Sequence, residues 1–576
     1  MSLPKKVETK APALTPEEKQ AMLKKQHNFY SVSCDKDGIM KPIRIKKVKI
    51  IDKLLERNCY RFDQSDDNFT FISINENLIK EVSLETITDE FFDYVKTLEP
   101  CTHEVWTSGK DDNLMINLVV NKAMIREALV EKISEYFSKR ILARLKYDGD
   151  INIKTDEKER MYFYYANGYV EVTPDGYTLK DYSTLNELIW ESQVLNRDFK
   201  VNKTKGMYEK FIERVAGYKD ITNKEPITER LKNRIESIRT MQAYLLHQYF
   251  DYKLKCPIFT DEKMSENSEP NGRTGKTLVN KALRAMKNRE KDSTNVTEIN
   301  GKDFIDKGKH KYENCSMSTV LTQINDVPRN YDIELLFNDI TEGITVDKKN
   351  QQPFRVETKI GLTTNKSIRI NGISAKDRVV FFEFSDHFNN HHSPQDEFGC
   401  WFFKEWDADE WNRFDTYMIE GASLFLKKGL LEAEYINLNR REVIEHTSQE
   451  FVDFMTDFQE SGQVGTVEIV TFKYDERINK QSLFTAFIQS YQDYNNVKFK
   501  QKTFTLWLRK YAQNSADLQP ISKANNTEGR SNGQDWSRQA LYRSRNLTVD
   551  CAIVPELTVC VLAPALNAAV GSRAGM

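Results

Sequence analysis

Pro270-Asn271-Gly272-Arg273-Thr274-Gly275-Lys276-Thr277 decides how the chain is read. Upstream lies the β-favouring run Ile258-Phe259-Thr260, just past Pro257. Downstream, Leu278, Val279, Ala282, Leu283 and Met286 recur at helical spacing. Strand, glycine-containing loop and helix, in that order, make a phosphate-binding loop. Its backbone N–H groups and the helix N-terminus face an anion, Lys276 reaches the β- and γ-phosphates, and Thr277 holds Mg²⁺. Gly272, Arg273, Thr274, Gly275, Lys276 and Thr277 are therefore the candidate ATP-binding residues. The octet departs from G-x-x-x-x-G-K-[ST] at its first position, which is Pro270. A polar turn with the same letters is the competing reading, and the motifs further along decide between the two.

At 576 residues the chain has room for about three to four domains. With 30% charged and 39% hydrophobic residues it has the composition of a soluble protein. The formal net charge of −2 means that nucleic acid would have to be held by a local basic channel. Eight cysteines are scattered without a Cys-x-x-Cys pair, which argues against zinc and disulfide frameworks and for a reducing cytoplasm. No run of about 20 apolar residues predicts a membrane span.

Past the loop, Val296-Thr297-Glu298-Ile299 predicts a strand, and Leu321-Thr322-Gln323-Ile324-Asn325-Asp326 stands where an NTPase places its second acidic motif. That motif needs carboxylates at a strand end, for the metal and for the attacking water. Asp326 can serve as one; Asn325 lacks the charge, and Thr322 and Gln323 make the strand polar. Ile344-Thr345-Val346 and Phe354-Arg355-Val356 predict a hairpin with Lys348 and Lys349 at its tip, either solvated or gripping phosphates in a ring's pore. Ile360-Gly361-Leu362-Thr363-Thr364 predicts a short strand that places Asn365 at a γ-phosphate, and Arg378 opens the strand Val379–Phe384.

From Ile258 to Phe451 the chain resembles the primase-helicase proteins of phages and prophages, relatives of poxvirus-type primase-helicases and superfamily III helicases. The residues that carry the resemblance begin with Glu269–Lys276 and Asn300-Gly301-Lys302-Asp303-Phe304. Ile340–Thr345 with Lys348-Lys349-Asn350, Thr363-Thr364-Asn365 and Arg378 follow. Asp396–Gly399, Trp406-Asp407, Glu410-Trp411, Phe414-Asp415 and Tyr417-Met418-Ile419 complete it. The family pattern accommodates Pro270 and departs at Asn325, where it is acidic.

The resemblance implies an α/β fold with an AAA+-like P-loop NTPase core, assembled as a ring, with a hexamer expected. It implies ATP and Mg²⁺ as cofactors, with Lys276 and Thr277 on phosphates and metal and Asp326 on metal or water. Asn365 would sense the γ-phosphate, Arg378 would act in trans, and Lys348 and Lys349 would track single-stranded DNA. The function implied is an ATP-dependent DNA helicase, a cytoplasmic enzyme working with other replication proteins and no membrane. The rival reading is a nucleotide-binding initiation scaffold that hydrolyses ATP weakly or not at all because of Asn325.

The remaining chain divides by composition. Residues 1–28 read as a flexible tail, 29–225 as an α+β region, 226–255 as a helical collar and 256–390 as the NTPase core. Residues 391–467 read as its helical C-terminal part, 468–540 as a winged-helix-like DNA-binding domain and 541–576 as a tail of unknown structure. In the α+β region Tyr60–Phe62 and Phe69–Ile74 predict a hairpin about Asp63–Asn68, and Thr88–Leu98 a helix. Tyr162–Tyr165 and Tyr169–Val172 flank Asn167-Gly168, a hairpin turn with φ > 0 at both residues. Its tyrosines suit one face of a sheet better than base stacking. Asp148-Gly149-Asp150 is a turn rather than a two-metal site. Leu231, Ile235, Ile238, Met241, Leu245 and Tyr249 form the stripe of the collar helix. His391 and His392, with Asp386, Asp396 and Cys400 nearby, match no zinc spacing. In 468–540, Lys498, Lys500, Lys502, Arg509 and Lys510 accompany two helices, as a DNA-binding face or a solvated one.

Overall fold

The computed structural model describes residues 22–544, apart from 66–67, 108–113, 148, 220–225, 252, 263–272, 329–330, 350–351, 367, 371, 434–442, 445, 462, 465–469, 472–476, 515–517 and 521–540. Alternating apolar and polar residues build the first sheet. Helix α1 (Lys47–Leu55) precedes an antiparallel meander of β1 (Cys59–Ser65), β2 (Asn68–Asn75) and β3 (Leu78–Val82). The expected hairpin is there, its strands running further into the polar segment until Ser65 pairs with Asn68. Helix α2 (Leu84–Thr97) starts where the Ser83 hydroxyl accepts from Thr86 N at 3.1 Å, and it buries Ile87, Phe91 and Val95. These join Phe29, Ile50, Leu54 and Leu142 in a core of their own. Asp148 lies outside the described residues, and Asp150 is exposed.

The second sheet holds β4 (Met161–Tyr165), β5 (Gly168–Thr173) and β6 (Gly176–Lys180), antiparallel in that order. Its turn corrects the sequence reading. Tyr165 pairs with Gly168, so the loop is Ala166-Asn167, and of the Asn-Gly pair Gly168 alone has positive φ, at +145°. Gly168 is needed for space, since a Cβ there would lie 2.4 Å from the Lys180 carbonyl oxygen. Asn167 instead ties the loop to Phe199, donating to its carbonyl at 3.0 Å and accepting from its N–H at 2.9 Å. All of β4 is buried: Tyr162 and Tyr164 pack with Tyr169 and Leu185, while Met161, Phe163 and Tyr165 enter the main core. The tyrosines are therefore packing residues on two faces, closed to bases.

Helix α3 (Met207–Val215) and helix α4 (Glu229–Leu246) lead into the main sheet. Thr228 caps α4, which carries the expected stripe from Leu231 to Leu245 but ends before Tyr249. The sheet consists of β7 (Cys256–Asp261), β8 (Val296–Asn300), β9 (Leu321–Asn325), β10 (Lys359–Thr363) and β11 (Val379–Phe384). All neighbours are parallel, in the order β8-β9-β10-β7-β11. The strands are buried nearly throughout, as strands covered on both faces must be. Helix α5 (Lys276–Lys287) follows β7, burying Val279, Ala282, Leu283 and Met286 as its spacing predicts. Helix α6 (Pro394–Phe398) and the long α7 (Ala408–Lys428) follow β11, and α7 packs on α4. The fold is thus mixed α/β about a five-stranded parallel sheet.

Beyond the sheet, α8 (Gln449–Ser461), α9 (Lys480–Ser490) and α10 (Gln501–Asn514) share one core around Phe451, Met455, Phe487, Phe504 and Leu508. The boundary expected at 467/468 falls inside that core. Leu541–Ser544, read as tail from the sequence, pairs antiparallel with both Arg477–Asn479 and Leu518–Pro520. Among the described residues no helix is long and apolar enough to cross a membrane.

Candidate functional site

The carboxyl ends of the parallel strands bring Lys276, Asp326 and Asn365 to one end of the sheet. Strand β7 ends at Asp261 and α5 begins at Lys276, with Gly275 as its N-cap in the left-handed region at φ +106°. Glycine is required twice over at 275: a Cβ would strain the backbone and would lie 2.6 Å from the Phe211 ring. No side chain caps α5, and the Leu278 N–H donates to the Gly275 carbonyl at 2.9 Å. Arg273 is exposed, with φ +78°, and Thr277 is exposed. Gly272 lies outside the described residues.

Lys276 is 8% exposed and Asp261 1%. The ammonium meets Asp261 Oδ1 in a short ion pair and reaches Thr274 Oγ1 at 3.2 Å. Thr274 donates to the same Oδ1 at 2.5 Å. A buried cation is thereby matched to one carboxylate oxygen, while the other, Oδ2, has no hydrogen-bond partner among the described residues. Asp261 is a site residue that the sequence reading passed over; its signal was a carboxylate closing the strand that enters the loop.

One strand, β10, separates β7 from β9. Asp326 follows the end of β9, exposed and in the left-handed region at φ +55°, with its N–H donating to Thr363 Oγ1 at 3.2 Å. A Cβ at Gly301 would come within 2.9 Å of the Asp326 carbonyl oxygen, so the glycine of the Asn300-Gly301 pair lets this loop approach. Asn325 is held in place: its Oδ1 accepts from Asn280 at 2.6 Å and Thr363 at 3.3 Å, and its Nδ2 donates to Glu298 at 3.4 Å. Glu298 thus sets a carboxylate beside the Asn325 amide, a neighbour that the sequence spacing did not reveal. Asn365 follows the end of β10, and its Oδ1 is buried with no hydrogen-bond partner among the described residues.

Two groups of candidates stand apart. Arg378 precedes β11, and its carbonyl accepts from Cys256 N, so it lies at the opposite end of the sheet. Six residues along a strand, at about 3.3 Å each, put it roughly 20 Å from the level of Asp261. Its guanidinium bonds Ser374 through the carbonyl at 3.0 Å and through the hydroxyl, and lies 4.7 Å from the Phe337 ring centre. It cannot serve the site of its own chain. Lys348 and Lys349 lie on the connection between Ile344–Val346 and Phe354–Val356, which pair antiparallel as expected. Lys349 is exposed, while Lys348 is half-buried 5.9 Å from the Phe354 ring centre.

No family model and no curated protein matches the chain. Among solved structures, the A-form apo structure of the NrS-1 C-terminal region is similar over 67% of this chain and 96% of that one, at 10% identity and a TM-score of 0.27. A likeness at that score carries no argument about this chain.

Proposed function

We propose that the chain is an ATP-dependent, ring-forming DNA helicase serving the replication of a phage or mobile element, built on an AAA+-like P-loop core. The observation that carries this reading is the buried Lys276–Asp261 pair at the uncapped start of α5, with Asp326 and Asn365 on the neighbouring strand ends. The residues fit a triphosphate. Phosphate oxygens replace Asp261 as partners of Lys276, and the first-turn N–H groups of α5, with Gly272 to Thr277, cradle them. Thr277 and Asp326 would hold Mg²⁺. When bound, Mg²⁺·ATP supplies the γ-phosphoryl group transferred to water. The bare Oδ1 of Asn365 suits an O–H donor such as that water, and its amide turned over offers Nδ2 to a phosphate oxygen. Arg378 would act in trans on a neighbour in a hexameric ring, and Lys348 and Lys349 would track single-stranded DNA. Residues 468–540 would add a second DNA contact, and other replication proteins would act with the ring.

The test is ATP-dependent strand separation on a forked duplex. Wild type separates it and Lys276→Ala does not; separation by that variant would remove Lys276 from the site.

A second reading, the initiation scaffold without hydrolysis, is favoured by one observation. The Asn325 amide is tied to Asn280, Thr363 and Glu298, and it brings no charge. If the scaffold reading holds, wild type binds ATP without turnover and Asn325→Asp gains turnover. An active wild type excludes it.

A further inference from the structure

Away from the strand ends, three side chains aim their ligating atoms at one point. The segment after β11 carries His387 and His392, and α6 carries Glu397. His387 Nε2 lies 2.6 Å and His392 Nε2 3.1 Å from the same oxygen, Glu397 Oε2. All three ligand atoms lie within 4.8 Å of one another. We infer that His387, His392 and Glu397 form a binding site for a divalent transition cation, with Zn²⁺ as the ion that fits.

Local structure explains why side chains five residues apart in sequence converge. Asn389 and His392 bond each other's backbone, at 2.9 Å and 3.4 Å, closing a turn that brings His392 back beside His387. Ser393 caps α6 through a capping box with Asp396, which fixes where the helix presents Glu397 one residue later. Phe388 stacks between the His392 ring at 5.8 Å and the Phe211 ring at 5.6 Å, holding the imidazole plane. The other oxygen of Glu397 accepts from Arg214 Nε at 2.9 Å, and that arginine is 2% exposed. A carboxylate oriented by a buried partner on one oxygen is left to ligate with the other.

The distances suit the ion. Zn²⁺ bonds of about 2.0–2.1 Å in a tetrahedron set neighbouring ligand atoms about 3.3 Å apart. Oε2 to the two Nε2 atoms must then open by only about 0.7 Å and 0.2 Å from the spacings given above. Two imidazoles and one carboxylate also match the ligand type that zinc takes in sites with an open fourth position. The His392 side chain is 41% exposed, which leaves that position to water. Neither His391 nor Asp396 belongs to the set: His391 is exposed, and Asp396 is engaged by Ser393. The rival is a carboxylate that accepts two imidazole N–H bonds and holds no metal.

The test uses the full chain, stripped with a chelator, dialysed against Zn²⁺ without nucleotide, and assayed for metal by elemental analysis. His392→Ala should lose one equivalent per chain that wild type and His391→Ala retain. His103→Ala controls for His27, Cys101 and His103, which also cluster, and should leave that equivalent in place. Equal zinc in wild type and His392→Ala, or none in wild type, overturns the site. Co²⁺ titration of His103→Ala, in which the other cluster is broken, decides even if His392→Ala folds poorly. Intense d–d bands of four- or five-coordinate Co²⁺ support the site, and only the weak spectrum of the aquo ion refutes it. Neither readout involves ATP, so the metal site and the nucleotide site fail separately.

Discussion

Replacing Asp261 by Asn tests the central contact of the proposed site by separating charge from shape. The carboxylate faces Lys276 and Thr274 and is 1% exposed. An amide of the same size keeps one acceptor oxygen and removes the counter-charge. Breaking a buried ion pair from one side costs about 3–5 kcal/mol, and the retained oxygen places this case near 3. For a folding unit of 150–250 residues that is roughly 6–12 °C in Tm, at about 2–4 °C per kcal/mol. The loss should depend on ligand. If phosphates take over Lys276 from Asp261, a non-hydrolysable ATP analogue stabilises Asp261→Asn more than wild type, because no pair has to be broken to bind it. Differential scanning fluorimetry with and without the Mg²⁺-bound analogue measures both arms. A deficit that nucleotide leaves unchanged, or no deficit without nucleotide, refutes the exchange of partners on Lys276.

Further outcomes follow from other named residues. Gly275→Ala should lower stability by at least the roughly 1–2 kcal/mol of left-handed strain and should abolish nucleotide binding, read by urea unfolding and by ATP titration. Lys348→Ala with Lys349→Ala should weaken single-stranded DNA binding and flatten its log–log salt dependence by about 1.4, at about 0.7 per lost phosphate contact. An unchanged slope takes both lysines off the DNA. Burial pushes the Lys359 ammonium, at the start of β10, down to about 7, against the opposing pull of Asp156 and Asp251. The unfolded chain then binds more protons than the folded one between about pH 7 and 10.5. Stability should rise with pH across that window by up to about 1.4 kcal/mol per unit. Lys359→Met should flatten that rise in pH-dependent unfolding.

Much of the main sheet was legible because its signals are local. Short β-favouring stretches marked β7 to β11, and the helical spacing from Leu278 to Met286 marked the helix that runs from Lys276 to Lys287. What escaped depends on contacts between distant segments. Asp261 gains meaning only once Lys276 folds back over the end of β7, and Glu298 only once β8 lies beside β9. At Asn167-Gly168 the local turn preference was overridden, because the third strand approaches too closely for any Cβ at 168. The Leu541–Ser544 strand was read as tail because its partners lie more than twenty residues away in sequence. His387 was missed beside His392 because a ligand set spaced by a turn and a helix follows no short motif.

The measurement that bears most directly on the central claim is Mg²⁺-dependent ATP hydrolysis, with and without single-stranded DNA, in wild type and Lys276→Ala side by side. The account predicts turnover that DNA stimulates and that the variant lacks. Turnover equal in the two proteins, or ATP binding by neither, would contradict it.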